Sequence, residues 1–348
     1  MTEIRWERYP LLGQQPTART WLQIQAYLGL AANTIDAYGR ALEGYLTFCH
    51  QQHIIAEEAT KAHIARYVHD LTSRPHPREP NSHLPAATLG LATATIQQRL
   101  TAIRLFHDYL MEEGLRPDNP VGRGRYTPGN GFGSRHERGL IPRYHKLPWI
   151  PNEEQWQAIL TTAKTESSRN RVMFALAYDA GLRREELCAL ATNDIDPAHR
   201  LLHLRAETTK NRRARTVPYS EPTSLLYGAY LQRRRALSRE RGPLFLSESP
   251  RNRAQPISIW TWSKVVERIA ARAEVPQFST HTLRHLCLTD LARAGWDLHE
   301  IAAFAGHQTP QTTLRYIHLS GRDLAAKLQQ GMASIHAWRI RLLQEAFQ

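Results

Sequence analysis

Apolar residues recur at helical spacing over most of residues 16–121. Asn33 and Thr34 are typical of helix N-caps, so we expect a helix to begin at them. A proline-rich stretch from Ser73 to Pro85 predicts a loop, and Gly114 predicts the end of a later helix. Residues 1–121 are therefore predicted to form a domain of about four or five helices. The apolar faces carry Ile35, Tyr38, Leu42 and Leu46; Ile64, Tyr67, Val68 and Leu71; and Ile96, Leu100, Ile103, Phe106 and Leu110.

Residues 122–150 differ in composition, since they are rich in glycine and proline and contain five arginines. This composition predicts a flexible, positively charged linker between two domains. A solvated loop and a segment that follows a phosphate backbone both fit the pattern.

A second domain is predicted over residues 151–320, where helical and strand patterns are mixed. Helices are expected at Glu153–Lys164 and Val172–Ala180. Strands at Leu201–Leu204 and Thr216–Val217 are expected to flank a polar turn, Thr209–Arg215. The pattern is helical again after this turn. The predicted fold class is therefore mostly α with a small β component, an α+β fold.

The last segment, residues 321–348, is predicted to form a tail helix. Met332, Ile335, Trp338 and Leu342 fall near one face of that helix. The face has two possible roles: packing within its own chain, or contact with a neighbouring protomer.

The excess of basic residues, most of them arginine, bears on what kind of molecule the protein binds. Among 348 residues, 45 are Lys or Arg and 32 are Asp or Glu, which gives a formal net charge of +13. Only six of the basic residues are lysines. Because a guanidinium binds phosphate through two parallel hydrogen bonds, this excess favours a polyphosphate partner such as nucleic acid. GC-biased coding would produce the same excess of arginine without any function.

The content of 42% hydrophobic and 22% charged residues excludes a disordered acidic protein, a collagen and a disulfide scaffold. Three widely spaced cysteines form no CxxC pair, so no zinc ribbon is expected and reduced thiols are the default. The sequence contains neither an apolar run of membrane-spanning length nor the apolar core of a signal peptide. We therefore expect a cytoplasmic, nucleoid-associated protein with no membrane partner.

Three short stretches carry candidate chemistry: GLRREEL at 181–187, HTLRH at 281–285, and Gly306-His307 followed nine residues later by Tyr316. Singly, each residue type has a structural explanation, such as a helix cap or a buried aromatic. Together they are what metal-free cleavage of a phosphodiester requires. A tyrosine supplies the oxygen nucleophile, arginines hold the non-bridging oxygens, and histidines donate hydrogen bonds and move protons near neutral pH.

These stretches resemble the tyrosine recombinase (phage integrase) family. That family has an arginine in G-L-R-x-x-E-L, a lysine in a β-hairpin, H-x-x-R, G-H, and a tyrosine nine residues further on. This chain reads GLRREEL, TTKNRRARTVP, HTLRH, AGH and TLRYIH in the same order. The resemblance implies a helical core-binding (SAM-like) domain, a catalytic domain, and a C-shaped clamp around DNA. It also implies the catalytic set Arg183, Lys210, His281, Arg284, His307 and Tyr316, with Glu186 orienting an arginine.

By this resemblance, Tyr316 forms a 3′-phosphotyrosyl link and Lys210 protonates the leaving 5′ oxygen. No cofactor or metal is expected: there is no Gly-x-x-x-x-Gly-Lys loop, and Ala303 stands where a zinc protease following His299-Glu300 would have its second histidine. The partners implied are double-stranded DNA with inverted half-sites and three further copies in a homotetramer. The early start of the helical region favours an Xer or transposon-borne recombinase, without a separate arm-binding domain, that serves integration, excision or transposition of a mobile element.

Two alternatives remain. A type IB topoisomerase-like relaxase would share the tyrosine chemistry but reseal the same strand. A DNA-binding regulator with a silent site would bind without cleavage.

Overall fold

The computed structural model describes residues 3–74, 90–122 and 148–314. These residues fall into two compact units, one within Met1–His145 and the other within Lys146–Gln348. Part of the predicted proline-rich loop, most of the linker, Tyr316 and the tail helix lie outside the described residues. No helix in the described ranges combines the length and hydropathy of a membrane span.

The N-terminal unit is built from helices, and each buries one apolar stripe against the others. The buried stripe of α3 includes Ile35, Leu42 and Leu46, and α5 contributes Ile96, Ile103 and Phe106. The helices are α1 (Pro10–Gln14), α2 (Pro16–Tyr27), α3 (Ala32–Gln51), α4 (Lys61–Ser73) and α5 (Thr93–Glu112), with short 3-10 turns at Trp6–Arg8 and Ala56–Glu58.

The predicted start of α3 at Asn33 and Thr34 is wrong. The helix begins at Ala32, its N-cap is Ala31, and no side chain caps it. Asn33 and Thr34 lie in the first turn instead. By contrast, α4 begins with a capping box, because Thr60 and His63 exchange side-chain and backbone hydrogen bonds.

The C-terminal unit combines helices with one antiparallel sheet, which confirms the predicted mostly α fold with a small β component. Its strands are β1 (Ile195–Asp196), β2 (Leu201–Leu204) and β3 (Arg215–Pro218), in the order β1-β2-β3. Its helices are α6 (Glu153–Ala163), α7 (Ser168–Asp179), α8 (Arg184–Cys188), α9 (Glu221–Leu237), α10 (Ile259–Arg272), α11 (Thr280–Arg293), α12 (Leu298–Ala305) and α13 (Pro310–Leu314), with 3-10 turns at Thr192–Asp194, Ala206–Thr208 and Pro250–Asn252.

The β2–β3 hairpin has the register Leu202 opposite Val217 and Leu204 opposite Arg215. Leu202, Leu204 and Val217 are buried in the core of this unit. Since side chains alternate along a strand, Arg215 shares the inward face with Val217. The hairpin thus carries one charged side chain towards the protein interior.

Candidate active site

The first predicted arginine, Arg183, lies between two helices. Helix α7 ends at Asp179, and Gly181 then adopts a φ of +54°, where a Cβ would lie 3.3 Å from the ring of Phe304. This turn brings Arg183 to the N-cap position of α8. A glycine suits this position because it has no Cβ and accepts a left-handed backbone.

Glu186 turns back from the first turn of α8 to hold Arg183. The backbone N–H of Arg183 donates to Glu186 Oε2 at 3.0 Å, and its Nη1 donates to Oε1 at 2.8 Å. The carboxylate is almost completely buried. Burial alone would raise the pKa of Glu186, but hydrogen bonds and positive charge from Arg215, joined by Arg183, outweigh it and lower the pKa to about 2. Glu186 is therefore ionised at neutral pH.

Arg215 on β3 contacts Glu186 through two guanidinium nitrogens, whereas Arg183 uses one guanidinium nitrogen and its backbone N–H. Arg215 Nη1 and Nη2 donate to the two carboxylate oxygens of Glu186 at 3.0 and 2.8 Å, and its Nε donates to the carbonyl of Phe304 at 3.0 Å. Sequence analysis missed this residue. The signal was its spacing from Val217, because an arginine two positions before a buried strand residue points inward and needs a partner.

Arg284 on α11 is fully buried. Its guanidinium donates to the carbonyl of Gly181, to the carbonyl of Ala305 at 2.6 Å, and to Nε2 of His307 at 3.0 Å. Arg284 therefore joins the turn before Arg183 to the C-terminal end of α12.

His307 follows Gly306, which ends α12 in the left-handed conformation with a φ of +65°. Because a guanidinium only donates, Nε2 of His307 accepts from Arg284, and its Nδ1 lies 2.9 Å from the buried Thr313 hydroxyl. Burial and the charge of Arg284 lower the pKa of His307 to about 3. The ring is neutral in this arrangement, so donating to a phosphate through Nε2 requires it to change partners.

His281 lies in the first turn of α11, two residues after the N-cap Ser279. Its exposed side chain packs edge-on against His285, with 4.3 Å between ring centroids. Desolvation and the charge of Arg284 lower the pKa of His281. His281 is thus accessible from solvent, whereas Arg284, one turn later, is enclosed.

Lys210 lies at the exposed tip of the β2–β3 hairpin. The next residue, Asn211, donates from Nδ2 to the carbonyl of Gly306 at 3.0 Å.

A pocket of ≈ 150 Å³ separates the hairpin from α12, and it is lined by Arg183, Arg213, Arg215 and His307. The lining of this pocket contains three arginines and no acidic residue. Within the described ranges, no group of three or more His, Cys, Asp or Glu side chains is arranged to hold a metal ion.

The sequence profile of the Phage integrase family matches residues 151–322, and that of the Phage integrase N-terminal SAM-like domain matches residues 21–114. The two matches together cover most of the chain. The chain belongs to the phage integrase family of tyrosine recombinases. It is therefore an enzyme of site-specific DNA recombination.

Relatives of this tyrosine recombinase include XerD of Caulobacter vibrioides, which is 28% identical over 326 residues, or 90% of this chain and 94% of the relative. XerC of Mycobacterium sp. (strain KMS) is 28% identical over 69% of this chain and 77% of the relative.

Two solved structures share the fold. One is the Tn1549 transposon integrase with circular intermediate DNA, at TM-score 0.65, 14% identity, and coverage of 90% of this chain and 99% of that chain. The other is XerH bound to palindromic difH substrate, at TM-score 0.63, 19% identity, and coverage of 85% and 80%.

The fold of this tyrosine recombinase brings four predicted site residues into one assembly, in which Arg183 pairs with Glu186, and Arg284 bonds His307 and the carbonyl of Gly181. The contact from Asn211 to Gly306 joins the hairpin that carries Lys210 to this assembly. His281 lies on the same helix as Arg284, on its exposed side. The predicted nucleophile Tyr316 lies just beyond the described residues. The roles of these residues in catalysis remain predictions.

Proposed function

We propose that this chain cleaves and rejoins DNA through a covalent 3′-phosphotyrosyl link to Tyr316. The observation that carries the proposal is that Arg183 and His307 line one pocket, and that the buried Arg284 connects their two segments through the carbonyl of Gly181 and Nε2 of His307. Arginines at such a pocket stabilise the charge that a phosphodiester gathers in its transition state. The spacing of Tyr316 after His307 is that of the family nucleophile.

In the proposed reaction, the Tyr316 hydroxyl gives its proton to the ring of His281 as its oxygen attacks phosphorus, and the bond from phosphorus to the 5′ oxygen breaks. Lys210 donates a proton to that leaving oxygen, and His281 or His307 donates hydrogen bonds to the phosphate. In the second step, the 5′-hydroxyl of a partner strand attacks the same phosphorus and returns a proton to Lys210, while the bond to Tyr316 breaks and the tyrosine oxygen recovers its proton from His281. Because the link conserves the energy of the original phosphodiester, the exchange needs no ATP. The surrounding cations supply the charge that a metal would otherwise bring.

The proposed assembly is a homotetramer on two synapsed sites, each with inverted half-sites, in the bacterial nucleoid. Its proposed role is the movement of a mobile element by integration, excision or transposition. The DNA-bound state of XerH and of the Tn1549 integrase supports a duplex DNA partner for the shared fold. The net charge of +13 agrees with a polyanionic partner.

The test uses duplex sites selected from a random DNA library by the Tyr316→Phe protein, which should bind without cleaving. Two copies of the selected site, with differently labelled flanks, are then incubated with the unaltered protein. Exchange of flanks supports a recombinase. Relaxation of a supercoiled plasmid without exchange supports the topoisomerase-like alternative, and equal behaviour of the unaltered and Tyr316→Phe proteins supports a silent DNA-binding regulator.

A further inference from the structure

Arg215 lies at the junction of three segments that carry the proposed chemistry. It belongs to β3 of the hairpin, it pairs with Glu186 beside Arg183, and it bonds the carbonyl of Phe304 near His307. Its side chain is only 9% exposed, so these contacts are largely removed from water. We propose that Arg215 is a positioning residue, which fixes Arg183 relative to His307 through the Glu186 carboxylate. This proposal rests on the proposed function.

The geometry of the contacts supports positioning rather than simple charge balance. A guanidinium that pairs with both oxygens of a carboxylate fixes the plane and rotation of that carboxylate, which a single contact does not. Glu186 then has one defined oxygen, Oε1, at 2.8 Å from Arg183 Nη1. Thus the direction of the Arg183 side chain depends on the Arg215 fork.

The third contact of Arg215, from its Nε, links the hairpin to α12 on the other side of the pocket. Arg215 Nε donates to Phe304, and a Cβ added to Gly306 would lie 3.0 Å from Arg215 Nη1. The guanidinium therefore packs directly beneath the backbone that presents His307. A shift of Arg215 would alter the separation of Arg183 and His307, and small misplacements of catalytic groups are costly in rate.

Electrostatics give Arg215 a second effect, on the charge balance of Glu186, which the variants below separate from positioning. Two arginines share one carboxylate, so the Arg183–Glu186–Arg215 group keeps a net positive charge that faces the pocket. Removal of Arg215 would leave a buried carboxylate with only Arg183 as its cationic partner. Glu186 would then bind Arg183 more tightly and draw it away from a phosphate.

Two variants of the full chain separate the loss of the Arg215 charge from the loss of its paired contact with both oxygens of Glu186. Arg215→Lys keeps the charge and loses the fork, while Arg215→Met loses both at similar volume. Arg205→Met is the matched control, since Arg205 pairs with the mostly buried Asp194 at 3.0 Å and takes no part in the pocket. The measurements are the initial rate of denaturation-resistant adduct formation on a nicked duplex of the selected site, the DNA concentration at half saturation, and the melting temperature.

At saturating DNA, both Arg215 variants should form adduct at least about tenfold more slowly, with half saturation changed by less than about twofold. Arg205→Met should keep the adduct rate of the unaltered protein whatever its melting temperature. A wild-type adduct rate in Arg215→Lys would overturn the proposal. So would an equal loss of rate in Arg205→Met.

The double variant Glu186→Gln/Arg215→Met distinguishes positioning from charge neutralisation. It removes the uncompensated carboxylate, so its melting temperature should recover relative to Arg215→Met. Its adduct rate should stay low, because an amide that no guanidinium fork holds does not fix the direction of the Arg183 side chain. Recovery of both quantities together would mean that Arg215 acts only by neutralising Glu186.

A measurement without DNA keeps this inference separate from the proposed reaction. The Nε–H resonance of Arg183 should be sharp in the unaltered protein and in Arg205→Met, and broadened or shifted in both Arg215 variants. If the unaltered protein forms no adduct, the proposed function fails while this resonance still decides the positioning claim. An unchanged Arg183 resonance in both variants would contradict it.

Discussion

Two arginines of the site carry their charge in different environments. Arg183 shares a carboxylate with Arg215, whereas the described partners of Arg284 include two carbonyls and the neutral ring of His307. Carbonyl partners orient a guanidinium and leave its net charge intact. Arg284 is thereby held in a fixed orientation at a location removed from water, where electrostatic interactions are strong.

Gly306 is constrained in two ways: its backbone is left-handed, and a Cβ at this position would meet the guanidinium of Arg215. We predict that Gly306→Ala slows adduct formation by at least about tenfold, because a left-handed alanine costs about 1–2 kcal/mol and its Cβ displaces Arg215. Gly295→Ala is the control: its φ is +92°, but no atom lies within 4 Å of the added Cβ. Comparable melting temperatures with unequal adduct rates would support the account, and equal rates would count against it.

At the scale of elements, the β2–β3 hairpin connects Lys210 to the rest of the site. Thr209, immediately before Lys210, is buried and exchanges hydrogen bonds with the backbone of Ala206 and Arg213. Asn211, immediately after it, reaches Gly306. Lys210 is thus an exposed side chain between two anchored neighbours.

This arrangement predicts that Asn211→Ala slows adduct formation by roughly three- to tenfold, since a looser turn presents Lys210 less often. The defect should disappear on DNA whose scissile 5′ oxygen is replaced by sulfur, because a thiolate leaves without a proton. Thr216→Ala, which removes a contact to His203 on the exposed face of the same hairpin, should behave like the unaltered protein. Persistence of the Asn211→Ala defect on the sulfur substrate would exclude action through Lys210.

Sequence patterns predicted the longer helices better than the short ones. The helical spacing from Ile96 to Leu110 gave α5, which buries a continuous face, and the apolar residues of Leu201–Leu204 gave β2. The two-residue β1 and five-residue α8 contain too few positions for a period to emerge. Motif spacing predicted Arg183, Arg284 and His307 as site residues, but it gave no signal for Asn211, whose contact with Gly306 depends on tertiary structure.

At the scale of the molecule, each unit has its own hydrophobic core and should respond to conditions separately. The N-terminal unit encloses His107, whose Nε2 lies 3.1 Å from the Tyr45 hydroxyl and whose Nδ1 accepts from Arg116 at 2.8 Å. Burial and the charge of Arg116 lower the pKa of His107 to about 3. The folded domain therefore holds this ring neutral, whereas the unfolded chain protonates it below its ordinary pKa of about 6.5.

We predict that this unit loses stability as the pH falls from about 6.5 towards 3, by up to about 1.4 kcal/mol per pH unit from His107. The sign follows because only the unfolded chain takes up the proton in that range. Hydrogen exchange of α3 and α5 amides, corrected for intrinsic rates at each pH, measures the slope. His107→Asn should flatten it, and the exposed His50→Gln should leave it unchanged; an unaltered slope in His107→Asn would refute the assignment.

The central claim is that a tyrosine of this chain becomes esterified to broken DNA. The most direct measurement incubates the full-length protein with a nicked duplex of its selected site, denatures the mixture, and maps any attached nucleotide by mass spectrometry. The account predicts a 3′-phosphate linked to Tyr316, and no such species with the Tyr316→Phe protein. A duplex that binds yet yields no adduct, or an adduct on another residue, would contradict it.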